Sequence, residues 1–173
     1  YIFFSKEMGQ ALHMAEIPNP AKAIMFNYIG LSFGDLCSGY ISQRLRSRNK
    51  TIFLFLCLSI CAIAFYLFIG KNSINLFYTA CTLIGFSAGY WAVFNITATE
   101  QFGTNIRATV TTSVPNFVRG AVPVINVIID IFQRAGQTYI LATVYTGIIV
   151  FGLAFIVLKL MQDTFGKDLN YIE

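Results

Sequence analysis

Residues 34–50 read GDLCSGYISQRLRSRNK, an apolar run that breaks into Arg44, Arg46, Arg48 and Lys50 before Thr51 opens a second apolar run. Four of the chain's twelve basic residues fall in this one turn. Cationic side chains are disfavoured in hydrocarbon and are retained in cytoplasmic loops, so a short basic turn between two apolar runs sets the direction of threading through a bilayer. The turn is expected on the cytoplasmic side, and the rest of the chain is oriented from it.

Composition points the same way. Of 173 residues, 56% are hydrophobic and only 12% charged, and the mean hydropathy is +0.65. A soluble domain carries about 25% charged residues. The chain is therefore read as an integral membrane protein whose solvent is the lipid bilayer. Its net charge of +4 does not argue for a nucleic-acid partner, because the basic residues cluster at the boundaries of apolar runs and form no continuous stripe. Cys37, Cys57, Cys61 and Cys81 lie inside apolar runs with no CxxC pair and no histidine cluster. They read as packing residues, and no metal or cofactor is expected. Tyr1 opens the chain where an initiator Met is usual, and no signal sequence follows, so the chain reads as a fragment.

In chain order, YIFF at residues 1–4 reads as the end of a span, followed by a polar connection that carries His13, the single histidine, as a surface group. Complete spans are expected at about 21–42, 51–70, 74–97, 106–132 and 139–161, each long enough at 1.5 Å per residue to cross roughly 30 Å of hydrocarbon. In the first, Gly30, Gly34 and Ser38 form a small-residue stripe that lets a neighbouring helix approach closely. Asp35 sits in the same span. An intramembrane carboxylate needs a partner or a task, so it is either a proton or cation site or a latch to the basic turn or to Arg119. Asp130, in the fourth span, is a second candidate for proton coupling.

The second span, TIFLFLCLSICAIAFYLFIG, carries no charge and is expected to face lipid. The third repeats the small spacing at Gly85 and Gly89, then brings Tyr90, Trp91 and Asn95, which suit either interfacial anchoring or contact with a solute. The fourth contains Pro115, Asn116, Arg119, Gly120, Pro123 and Asn126, a composition that suggests a bent helix lining a cavity. Tyr28, Asn95 and Asn126 are candidate cavity-lining groups from position and chemistry. With the basic turn inside, the 100–107 connection and the C-terminal tail are inside as well. Eight of the twelve basic residues, the ambiguous Arg119 counted among them, then fall on the cytoplasmic side.

Three stretches together resemble the second half of a major facilitator superfamily transporter. Gly39-Tyr-Ile-Ser-Gln43-Arg44-Leu-Arg-Ser-Arg48 is similar to the family's G-x-x-x-D-R-x-x-x-R loop, with Gln43 in the Asp position. Glu100-Gln-Phe102-Gly103-Thr104-Asn-Ile-Arg107 resembles the E-x-[FY]-P-T-x-x-R connection of the sugar-porter-like branches, with Gly103 for the proline, and Asn116, Arg119, Gly120 and Pro123 follow in the style of the eleventh helix. Asp163-Thr-Phe-Gly166-Lys167-Asp-Leu169 is similar to the E-T-K-G-x-x-L tail after the twelfth.

The resemblance implies an all-α membrane protein with five complete transmembrane helices plus an N-terminal stub, forming one transmembrane domain over residues 1–173. This is the second six-helix bundle of a twelve-helix fold, partnered by an N-terminal half of the same chain. It implies secondary transport of a small-molecule solute by alternating access, as a symport if protons are coupled, in the plasma (inner) membrane with the C-terminus cytoplasmic. Gly39, Arg44 and Arg48 would then form a cytoplasmic latch, and Glu100, Arg107 and Arg119 a second network that breaks on inward opening. The competing reading is a non-transporting scaffold or solute sensor on the same fold. An intramembrane enzyme is disfavoured, since there is no HExxH, no GxSxG and no pair of aspartates on neighbouring spans.

Overall fold

The computed structural model describes residues 5–12, 14 and 16–166, so the YIFF stub and His13 lie outside the described residues. The elements are helices α1 (Ser5–Ala11), α2 (Pro20–Leu45), α3 (Arg48–Phe68), α4 (Ile74–Ala88), α5 (Trp91–Glu100), α6 (Thr104–Arg134) and α7 (Tyr139–Leu160), with a 3-10 turn at Gly70–Asn72. Among the described residues there is no strand. The joints follow local chemistry. Arg46 takes a left-handed φ of 48° between α2 and α3, and Gly136 does so at φ 86° between α6 and α7. Ser73 stands extended at the N-cap position of α4.

Four stretches are long and apolar enough to cross a membrane: α3, α4 with α5, α6 and α7. Five were expected. The remaining one, α2, is 26 residues long but is not among them, because Asn27, Tyr28, Ser32, Asp35 and Ser38 dilute its apolar character.

The chain divides into two compact units, Tyr1–Leu45 with Lys50–Val93, and Arg46–Asn49 with Phe94–Glu173. In the first, α2 and α4 pack side by side through the two small-residue stripes. A Cβ on Gly30 would run into the Thr82 carbonyl, one on Gly34 into the Phe86 carbonyl, and one on Gly85 into the Asn27 carbonyl. The contacts advance together along both helices, so α2 and α4 run parallel, and α3 is the helix that returns the chain from the end of one to the start of the other. Asn27 adds a hydrogen bond from Nδ2 to the Cys81 carbonyl at 3.2 Å. Phe55, Tyr66, Phe77, Ala80 and Cys81 are fully buried around this pair.

The third span, expected as one continuous helix, is broken at Gly89 and Tyr90. The cause lies on α2. Gly89 is pressed against the Gly34 and Asp35 backbone, and the Ser38 hydroxyl donates to the Gly89 carbonyl at 2.6 Å. One turn on, the Asp35 carboxylate accepts the Ala92 N–H at 3.4 Å. A helix that breaks inside hydrocarbon must have its freed carbonyls and N–H groups met by neighbours. Here Ser38 meets the carbonyl, and Asp35 caps the N-terminus of α5, where a carboxylate also suits the helix dipole.

In the second unit, α6 and α7 form a hairpin, with the Phe132 and Tyr145 rings 5.7 Å apart near its turn. The α6 sequence is two-sided. Thr112, Asn116, Arg119, Pro123, Asn126 and Asp130 recur at intervals of four and three, so at 3.6 residues per turn they fall on one stripe, and all six are exposed. Val110, Val114, Phe117, Val124 and Ile128 lie on the opposite side.

Candidate functional site

The second unit gathers the basic turn, the end of α5 and the start of the tail into one cluster. Its centre is Arg48, the first residue of α3, which reaches Glu100, the last residue of α5. The guanidinium forks onto the carboxylate, Nη2 to Oε1 at 3.0 Å and Nε to Oε2 at 3.4 Å. Thr164 donates its hydroxyl to the same Oε2 at 2.6 Å, and the Phe165 ring lies 5.2 Å under the guanidinium. The Arg48 and Glu100 side chains are only 11% and 12% exposed. Fork geometry, a third hydrogen bond and a stacked ring are the conditions under which a desolvated ion pair holds.

Asp163 closes the cluster from the tail. It accepts the Ser47 hydroxyl, the Arg48 N–H at 3.0 Å and the Phe165 N–H at 3.1 Å. The carboxylate thus caps the first turn of α3 from a distant part of the chain, where free N–H groups and the positive end of the helix favour it. Asn49 completes the tie by donating to the Met161 carbonyl at 2.7 Å, beyond the end of α7.

Partial burial alone would raise the Asp163 carboxyl, but the Ser47 hydroxyl and the backbone N–H groups of Phe165, Arg48 and Asn49 outweigh it and hold the pKa below the ordinary carboxylate value. A lowered folded-state pKa adds stability above the unfolded value and loses it as pH falls through the folded one. Thermal midpoints measured from pH 7 downward should hold until about pH 4 and then drop. Asp163→Asn should flatten that acid limb, and an unchanged limb would show that the cap does not titrate.

Other expected site residues lie as follows. Arg107, in the first turn of α6, donates to the carbonyls of Thr99 at 3.3 Å and Phe102 at 3.0 Å, fastening the end of α5 to the start of α6. Arg44 is exposed at the end of α2. A Cβ added to Gly39 would meet nothing within 4 Å. Arg119 does not take Glu100 as its ion-pair partner, because Arg48 holds it; its hydrogen bond is to Asn116 Oδ1 at 3.4 Å. Asp35 makes the helix cap described above. Tyr28 on α2 is 56% exposed, Asn126 and Asp130 stand on the polar stripe of α6, and the Asn95 Oδ1 is buried on α5 without a hydrogen bond. The cysteines are all free.

Ser47, Asn49, Asp163 and Thr164 carry much of the cluster, yet sequence reasoning left them out of the site. Ser47 before an apolar run is a legible N-cap signal. That a carboxylate more than a hundred residues away would occupy that cap has no local signature. Compared with protein-family models, curated proteins and solved structures, the chain matches none of them.

Proposed function

We propose that this chain is the second half of a secondary active transporter that moves a small solute across the plasma membrane by alternating access. In this reading α2 is a fifth span beside the four apolar ones, and the Arg48–Glu100–Asp163 cluster is a cytoplasmic latch that stabilises one of two states. The observation that carries the proposal is the convergence of three separate stretches. The basic turn, the Glu100 connection and the Asp-Thr tail each resemble a transporter motif, and in the second unit they bond to one another. A latch made of ion pairs and helix caps at one end of a bundle is the kind of bistable contact that rocking breaks and remakes. Asp35 and Asp130 are the coupling candidates, and Asp35 acts through the cap it places on α5.

The test is flux into proteoliposomes of the full-length protein, with a panel of labelled solutes and with Arg48→Lys and Asp163→Asn, each of which loosens the cluster. Losing about 1.4 kcal/mol of bias between the two states changes their ratio tenfold. Both variants should insert normally and transport about tenfold more slowly. Flux unaltered in both would overturn the latch, and solute binding without any flux would favour the sensor or scaffold reading.

A further inference from the structure

Opposite the glycine stripe that meets α4, helix α2 carries a second one. Met25, Ile29, Phe33, Leu36 and Tyr40 recur at intervals of four, four, three and four, so they share one face. All five are exposed, Leu36 by 74% and Tyr40 by 72%. Arg44 continues the same spacing and stands exposed in the last turn. From Met25 to Arg44 the face runs about 28 Å at 1.5 Å per residue, close to the thickness of a hydrocarbon core. Lys50 is exposed across the joint, in the first turn of α3. Near Arg44 the first unit supplies no acid. Helices α3 and α4 contain no Asp or Glu, Glu7 and Glu16 precede α2, and Asp35 lies about 15 Å short of Leu45 along the helix. Arg44 makes no ion pair among the described residues.

An exposed apolar face that ends in an aromatic ring and then a cation suits a helix lying against lipid, with chains along its middle, the ring at the interface and the cation among headgroups. Resting on the reading of α2 as a span, we infer that this face binds an anionic phospholipid of the cytoplasmic leaflet. Its phosphodiester sits on Arg44, Lys50 adds to the positive potential, and one chain lies along Tyr40, Leu36 and Phe33. The guanidinium fork presents two N–H groups to two phosphate oxygens, where a lysine offers a point charge. Charge complementarity selects an anionic headgroup over a zwitterionic one, whose own cation would meet the same basic side chains.

The test uses the full-length protein with its native cysteines replaced and a bimane fluorophore on Leu36→Cys, in phosphatidylcholine vesicles that contain a small fraction of chain-brominated lipid. Brominated phosphatidylglycerol should quench the label with a preference of roughly thirtyfold over brominated phosphatidylcholine, the factor for two basic residues at a lipid surface. Met25→Cys, toward the opposite end of the same face, should show no preference. Arg44→Gln with Lys50→Gln should abolish it at Leu36→Cys, Arg44→Lys should retain most of it, and Lys22→Gln, which removes a cation from the other end of α2, should leave it whole. Each variant is first checked for monodispersity. Millimolar glycerol phosphate should not compete. Equal quenching by the two lipids at Leu36→Cys would overturn the inference and leave α2 a span. Competition by glycerol phosphate would overturn it in favour of a water-borne phosphate ester. Failure of both lipids to quench at either position would overturn it as well, showing the face covered by protein. Quenching by aqueous iodide at Leu36→Cys would sink the span reading together with the site.

Discussion

Replacing Glu100 with alanine is expected to destabilise the protein by about 3–5 kcal/mol, because it removes the carboxylate onto which the nearly buried Arg48 guanidinium forks. Thr164 loses its acceptor in the same step. The pair itself contributes much less than that figure, since desolvation of both ions offsets most of their attraction. Arg48→Met combined with Glu100→Leu should therefore recover most of the loss and end within about 1–2 kcal/mol of the parent. Thermal unfolding in detergent of the parent, Arg48→Met, Glu100→Leu and the double variant gives the cycle, with Glu100→Ala measured beside them. If Glu100→Ala alone costs less than about 1 kcal/mol, the pair is behaving as a solvated surface bridge and the cluster cannot serve as a latch. Under the transport reading the double variant should fold and yet lose its bias between states.

Gly85→Leu should cost about 3 kcal/mol or more, the upper range for overpacking, because the added carbons point at the backbone of α2 near Asn27 rather than at a side chain that can swing away. Gly34→Leu should behave alike against Phe86 and Gly89. The control is Gly152→Ala on α7, where a Cβ meets nothing within 4 Å; removing a helix-interior glycine there should be neutral or stabilise by about 0.5–1 kcal/mol. With Cys37, Cys57 and Cys61 replaced, a thiol-reactive dye reports unfolding through Cys81, which lies fully buried beside the α2–α4 contact. Equal midpoints for Gly85→Leu and Gly152→Ala would show that α2 and α4 do not meet through their glycines.

Much of this arrangement can be read from the residues. The run of arginines marks a turn, and the four-residue spacing at Gly30, Gly34, Gly85 and Gly89 announces two stripes that turn out to face each other. Short-range rules succeed there because each feature is written within one or two helical turns. They fail where a group's partner is remote. Asp35 looks like an isolated charge until Ala92 comes beside it, and Gly89 looks like another packing glycine until Ser38 claims its carbonyl. The break between α4 and α5 is thus a tertiary effect. Arg119 was expected to find an acid, and the one expected on its own unit, Glu100, is held by Arg48. Its place at the centre of α6 follows only once the helix is known to run unbroken through two prolines.

The basic turn and the tail should lie on one side of the membrane, the inner one, with the α6–α7 turn on the other. Single cysteines at Arg46, Gln162 and Gln137, introduced after the native ones are replaced, can be probed in intact cells with an impermeant maleimide. Arg46→Cys and Gln162→Cys should stay unlabelled until the membrane is permeabilised, while Gln137→Cys should react at once. Labelling of Arg46→Cys from outside, or Arg46→Cys and Gln162→Cys on opposite faces, would contradict this arrangement.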